Sequence, residues 1–245
     1  MKSAEKLPTL FYRIFIAALL ISISSLSVHA QNVAGVFPPG FGPDHASFQY
    51  RAGFDPDSDG LVQRGHYQRS IDDRKMWRVV AQVNKTNDAF LDLDRVVGEL
   101  FWTLTDPGSA WQHGIRFDAA LRTEGRPGIA AVNWSSQYAG IEGWRFRFNV
   151  LNGVQIGDGR ASGVFMQTRA QIHRPLDKGR AVGIEHFGQY GSTDDFRDFK
   201  DQRQQIGPYM ILPIGDAWRV HGSLLFGVTD ASPDSNFTIW VNRGF

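Results

Sequence analysis

His221 and Ser223 stand two apart in the stretch HGS, which sets an imidazole and a hydroxyl on one face of an extended strand. A serine nucleophile needs such a base, and the base needs a third group to orient it. Spacing alone places no third group. Asp55, Asp57, Asp59 and Gly60 in DPDSDG match the front half of a calcium loop. The twelfth position of that loop should be a bidentate glutamate and is His66. With no flanking helices, the stretch reads as a solvated hairpin loop. Gly-rich phosphate loops and clustered histidines are missing, so the sequence places no metal and no cofactor. Arginine is the recurrent chemical group, as in RFRF, where Arg145 and Arg147 alternate with phenylalanines. A guanidinium is planar, permanently charged and forks onto carboxylates and phosphates, so arginines gathered on one surface hold anions.

The elements that must gather them are strands. Period-2 alternation recurs in twelve blocks of about ten residues, separated by turn residues. The blocks run 45–54, 61–70, 76–85, 91–104, 110–122, 129–140, 143–156, 161–173, 180–190, 202–212, 217–227 and 236–245. Connections alternate between tight ones (IDDRK, DPGSA, IEG, PLDKG, IGDA) and bigger, more acidic ones (DPDSDG, STDDFRDFKD, TDASPDSN). In an up-and-down sheet these sets fall on opposite sides, the asymmetry of barrels with short periplasmic turns and longer outer loops. Trp77, Trp102, Trp111, Trp144 and Trp218 flank the tight turns and share parity with the aliphatic residues of their own strands. Indole rings favour the headgroup boundary of a bilayer, so these five read as an aromatic girdle on a lipid-facing surface.

Ahead of the strands, residues 1–30 read as a cleaved signal peptide. Lys2, Lys6 and Arg13 precede the apolar IFIAALLISISSL, and SVHA offers small residues for a cut after Ala30. Removal of Lys2, Lys6, Arg13 and Glu5 leaves 23 basic against 24 acidic residues, which gives no footprint for nucleic acid. Cysteine is absent, so there is no disulfide framework and no thiol chemistry. Residues 31–44, with VFPPGFGPDH across their end, form an N-terminal extended lead or a short plug rather than a helix. The expected barrel covers 45–245.

The opposite parity faces the lumen. It carries Arg51, Arg64, Arg78, Arg95, Arg116, Arg145, Arg147, Arg169 and Arg219, with Gln49, His66, Gln68, Gln82 and Tyr209 among the polar company. Glu99, Asp118 and Glu185 are the inward acids, although strand nine is ambiguous. If Val182 and Ile184 face lipid, Glu185 points in and His186 out; a bulge would reverse the second half. Such a lumen either conducts anionic solutes, as arginine-lined pores do, or fills with hydrogen-bonded side chains.

The last block, FTIWVNRGF, places Phe237, Ile239, Val241 and Phe245 at alternate positions. With the signal peptide and the twelve blocks, it resembles the closing strand of bacterial outer-membrane β-barrel proteins, which serves as their assembly signal. The resemblance implies an all-β, twelve-stranded antiparallel up-and-down transmembrane β-barrel. It also implies export through the inner membrane, insertion by the barrel-assembly machinery, and contact with lipid and lipopolysaccharide. In architecture the chain is similar to the small monomeric twelve-stranded porins that pass acidic oligosaccharides, without a shared residue motif. An outer-membrane phospholipase family carries His-x-Ser on a barrel of this size, followed by Asn-Gly. Here Leu224 and Leu225 follow, so that motif is broken, and its parity faces the lumen rather than lipid. The expected function is a small passive channel for anionic solutes. The alternatives are a filled structural or envelope-assembly barrel, then a lipid hydrolase.

Overall fold

The computed structural model describes residues 33–42, 45–56, 61–85 and 91–245. The signal peptide, most of the calcium-like loop and residues 86–90 lie outside the described residues. Twelve strands follow in order: β1 (Ala46–Phe54), β2 (Leu61–Ser70), β3 (Lys75–Lys85), β4 (Asp92–Thr103), β5 (Trp111–Arg122) and β6 (Gly128–Tyr138). The second half is β7 (Arg145–Ile156), β8 (Phe165–Pro175), β9 (Ala181–Ser192), β10 (Arg203–Ile214), β11 (Trp218–Gly227) and β12 (Ser235–Gly244). Each strand pairs antiparallel with the next, and β1 pairs with β12, so the sheet closes. Closure removes the unpaired edges that a bilayer would penalise.

The tight turns are held by their own residues. Between β2 and β3, Asp72 Oδ1 accepts from the backbone N–H of Arg74 at 2.8 Å and of Lys75 at 2.7 Å. The Arg74 N–H is the leading cause that holds this exposed carboxyl below its ordinary value. The tightest connection is Gly215–Ala217, where Gly215 adopts φ 61°. The longest, Thr193–Gln202, lies at the opposite end.

Burial follows the alternation. In β3, Met76, Arg78, Val80 and Gln82 are buried while Val79 and Ala81 are exposed. The outer face carries exposed Phe48, Val79, Leu100, Phe117, Val132, Phe148, Ile184 and Phe226. Here apolar residues look out and polar ones in, the inverse of a water-soluble sandwich.

Two irregularities shift the phase. Between β3 and β4, Gln82 pairs with Arg95 but Val83 pairs with Leu93, so Asp94 is the extra residue and turns inward. Between β8 and β9, Gln167 pairs with Gln189 and Met166 with Gly191, which leaves Tyr190 as the bulge. Strand nine therefore keeps one parity up to Gln189. Glu185 and Phe187 are buried, and His186 lies on the outer parity.

Candidate functional site

The lumen has two unlike walls. On the first, β1 to β5 set arginines side by side through their register: Arg51 opposite Arg64, Arg64 opposite Gln82, Arg78 opposite Glu99, and Glu99 opposite Asp118. Arg78 forms an ion pair with Glu99. Arg116 forks onto Asp118 with two bonds of 2.7 Å, and Asn133 Nδ2 donates to the same carboxylate at 2.8 Å. Arg116 Nε also lies 3.9 Å from Glu99. The bulged Asp94 pairs with Arg95 and, at 2.8 Å, with Arg126 from the loop after β5. Such bidentate, charge-assisted contacts fix a guanidinium in one orientation.

Other inward arginines rest on neutral side chains. Arg64 donates to Gln82 at 2.5 Å, and Arg51 to Gln49 at 2.6 Å. Lower down, Arg147 donates to Gln137 at 2.7 Å and to Gln171 at 3.0 Å. Arg145 and Arg219 are exposed at the tight-turn mouth. Arg122, at the far end of β5, lines the cavity too, and its Nε has no hydrogen-bond partner among the described residues. It shares the parity of Arg116 and Asp118, a signal that could have placed it from sequence.

The second wall, from β8 to β12, is a column of rings, with the half-buried Arg169 guanidinium and the buried Glu185 carboxylate beside it. His173 Nδ1 and the Tyr209 hydroxyl share a hydrogen bond of 2.6 Å. Tyr209 stacks on His221 at 5.0 Å, and His221 on Trp240 at 3.9 Å. The Arg51 guanidinium lies 4.1 Å over Trp240, where the two walls meet. His221 Nε2 is 3.7 Å from buried Glu185, but the Ser223 hydroxyl is hydrogen-bonded to Thr238. The His-x-Ser pair thus faces the lumen, with its serine engaged elsewhere.

Residues 33–42 cross between these walls as an extended strap. Phe37 exchanges two 3.0 Å hydrogen bonds with the Asn149 side chain. The Val33 carbonyl accepts from Arg51 at 3.3 Å, the Gly35 carbonyl from Arg169 at 2.9 Å, and the Pro39 carbonyl from Thr103 at 3.0 Å. Bonds of this kind to a charged donor contribute about 1.5–3 kcal/mol each. Val36 packs with Phe187 and Leu225, while Phe37 packs with Met76, Phe101 and Leu151 under the Arg116 guanidinium, 4.3 Å from the ring. Burial of each such side chain adds about 1.5–3 kcal/mol. Two glycines permit the close approach. A Cβ at Gly35 would strike the Trp240 ring, and one at Gly114 would lie 2.6 Å from the Pro39 carbonyl oxygen. Residues 36–42 of the VFPPGFGPDH stretch thus run between the walls, while Pro43 and Asp44 lie outside the described residues.

The strap does not fill the lumen. A cavity of about 720 Å³ remains beside it, lined by residues of β1 to β9 and β12 and by none of β10 or β11. Its lining runs from Gln68 and Met76, near the tight-turn end, to Arg122 and Gln189, near the loop end. Seven arginines line it (Arg51, Arg64, Arg78, Arg95, Arg116, Arg122 and Arg169) against two carboxylates, Glu99 and Asp118. No group of three or more histidine, aspartate or glutamate residues suited to a metal occurs among the described residues.

On the outer face, the five expected indoles all stand at the tight-turn ends of their strands. Trp102, Trp111 and Trp218 are exposed, and Trp77 and Trp144 are half-buried. Trp111 packs on Tyr138 at 4.7 Å, Trp77 on Tyr67 at 5.4 Å, and cations of Arg174 and Arg243 lie over Trp144 and Trp218 at 5.1 and 5.3 Å. At the same end, the N–H of exposed Phe245 donates to Ala46, while Phe237, Ile239 and Val241 keep the outer parity of β12.

No protein-family model matches the chain, and no curated protein does either. Solved structures do. A KdgM porin superimposes with a TM-score of 0.60 at 8% identity, covering 81% of this chain and 99% of its own. A KdgM porin in complex with disordered oligogalacturonate gives 0.59 at 9% identity, with 81% and 99% covered. A NanC porin gives 0.59 at 8% identity, with 81% and 98% covered. The twelve-stranded barrel is thus the fold of small outer-membrane porins.

Proposed function

We propose that this barrel sits in a bacterial outer membrane and passes small anionic solutes through the arginine-lined side of its lumen. The excess of seven arginines over three carboxylates, Glu99 and Asp118 in the lining and Asp94 paired with Arg95, carries the reading. Counter-charges of this sparsity leave guanidinium donors for a passing anion, and a low-dielectric wall strengthens their field. One porin of the same fold is described with oligogalacturonate, an oligomer of sugar acids, which suits the same chemistry. Arg51, Arg64, Arg95, Arg122 and Arg169 set the selectivity of the cavity. Arg78 and Arg116, paired with Glu99 and Asp118, hold the wall in shape. Arg145, Arg147 and Arg219 belong to the tight-turn mouth.

The five tryptophans mark the periplasmic interface, and the acidic loops meet lipopolysaccharide at the other. Phe237, Ile239, Val241 and Phe245 present the closing strand to the barrel-assembly machinery. Export follows from the expected signal peptide. Ser223, buried and tied to Thr238 on the lumen side, supports a channel over a lipid hydrolase.

Planar-bilayer recording tests this. The barrel should give discrete current steps whose reversal potential in a salt gradient favours chloride over potassium. Arg64→Glu with Arg122→Glu should reverse that preference. A second reading, a filled structural barrel without transport, draws on the strap and the ring column; a silent bilayer at high protein load would support it.

A further inference from the structure

Two cavity arginines are held by groups that carry no charge. Arg51 Nη1 donates to the Val33 carbonyl and Arg169 Nη1 to the Gly35 carbonyl. A carboxylate or phosphate is a stronger partner for either. A second, independent feature stands beside them. His66 is 2% exposed and lines the same cavity, yet neither of its ring nitrogens has a hydrogen-bond partner among the described residues. A buried imidazole in this position can donate to or accept from a group that enters the cavity. The register sets His66 against Gln49 and Val80, one inward step from the Arg51–Arg64 pair. Arg64, which also lines the cavity, engages Gln82 through Nε.

We propose that Arg51, Arg64, His66 and Arg169 form an anion site that the strap occupies in the resting barrel. The Val33 and Gly35 carbonyls stand in for the oxygens of a carboxylated or phosphorylated sugar. Solute and strap then compete. An acid group entering from the loop end takes the two guanidiniums and the His66 N–H, and the strap yields its hold on the charged wall. Its apolar anchor, Val36 in the cluster with Phe187 and Leu225, must also let go for the strap to move aside. The competition is reciprocal: whatever frees the strap tightens the solute by the same factor. This refines the anion-channel reading and rests on it.

The natural chain has no cysteine, so oxidation of a Val36→Cys, Leu225→Cys double variant, checked by mass spectrometry, pins the strap to the ring wall. The probes are galacturonate and inorganic phosphate, added to the full exported chain in lipid nanodiscs and in planar bilayers. The oxidised double variant should bind galacturonate about tenfold more weakly than the same sample after reduction, which should match the parent. A variant lacking residues 33–41 should bind it about tenfold more tightly than the parent and carry a larger unit current. His66→Leu should weaken binding in both the parent and the strapless barrel. If the deletion fails to fold, the redox pair decides alone. Equal affinity before and after reduction overturns the competition but leaves anion selectivity standing. A parent that neither binds the probes nor prefers anions brings down both.

Discussion

The two walls of the lumen solve the problem of burying polar groups in opposite ways. From β1 to β5, charge is met with charge: Arg78, Glu99, Arg116 and Asp118 form a chain of ion pairs, and unneutralised arginines stand beside it. From β8 to β12, polarity is met with packing: His173, Tyr209, His221 and Trp240 stack face to face, and Ser223 closes on Thr238. The 720 Å³ cavity borders the first wall and avoids β10 and β11. An enclosed surface rich in fixed charge stays wet, because dehydrating a guanidinium costs more than any neutral contact returns. A column of rings dehydrates readily, and the same side of the barrel holds the apolar cluster of Val36, Phe187 and Leu225. A barrel can therefore be filled and open at once, on different sides.

Four measurements press on that contrast, and the first should show the largest effect. Glu99→Ala leaves Arg78 and Arg116 facing each other without their shared carboxylate, and should cost about 3–5 kcal/mol in reversible unfolding in lipid vesicles. A loss as small as an exposed pair's would mean that water already screens this wall. Next, Leu225→Ala hollows the packed wall and should cost about 2–4 kcal/mol, with a larger unit current as the strap loosens. The third sharpens the distinction between inside and outside. In single-tryptophan variants, Trp77, Trp102, Trp111, Trp144 and Trp218 should all be quenched by lipids brominated near the headgroup, while Trp240 should not. Equal quenching of Trp240 would place the ring column on the wrong surface.

The smallest effect concerns His45, just ahead of β1, whose Nε2 lies 2.8 Å from Gln68 Nε2. Burial, with Arg219 as the lesser cause, lowers this imidazole from its ordinary 6.5. A lowered imidazole favours the folded contact above pH 6.5 and loses that contribution as the pH falls below it. The strap should therefore loosen modestly between pH 7 and pH 5, seen as a rise in current. His45→Gln should flatten that dependence.

The strands were legible because a strand repeats every two residues, and β5 or β7 states its inside and outside in plain alternation. Trp218 and Trp111 disclosed which turns share an end, since indole has a preferred depth. The inward arginines followed from parity, but what each arginine holds did not. Arg116 on Asp118 and Arg147 on Gln137 depend on register between strands, which no single strand carries. Asp94 was hidden because a bulge inserts one residue without any mark in the alternation. Arg122 was in phase and could have been read. The route of VFPPGFGPDH was beyond sequence: proline and glycine make it extended, yet only Gly35 and Gly114, far apart in the chain, make room for it.

A peptide lying inside a ring of twelve hydrogen-bonded strands constrains how the ring is made. The seam between β1 and β12 can zip only once residues 33–42 are already indoors, or else the peptide must climb in afterwards through a mouth flanked by its own β1. The first order of events makes the strap a mandrel on which the cylinder is wound, with Asn149 and Thr103 gripping it before the last ladder forms.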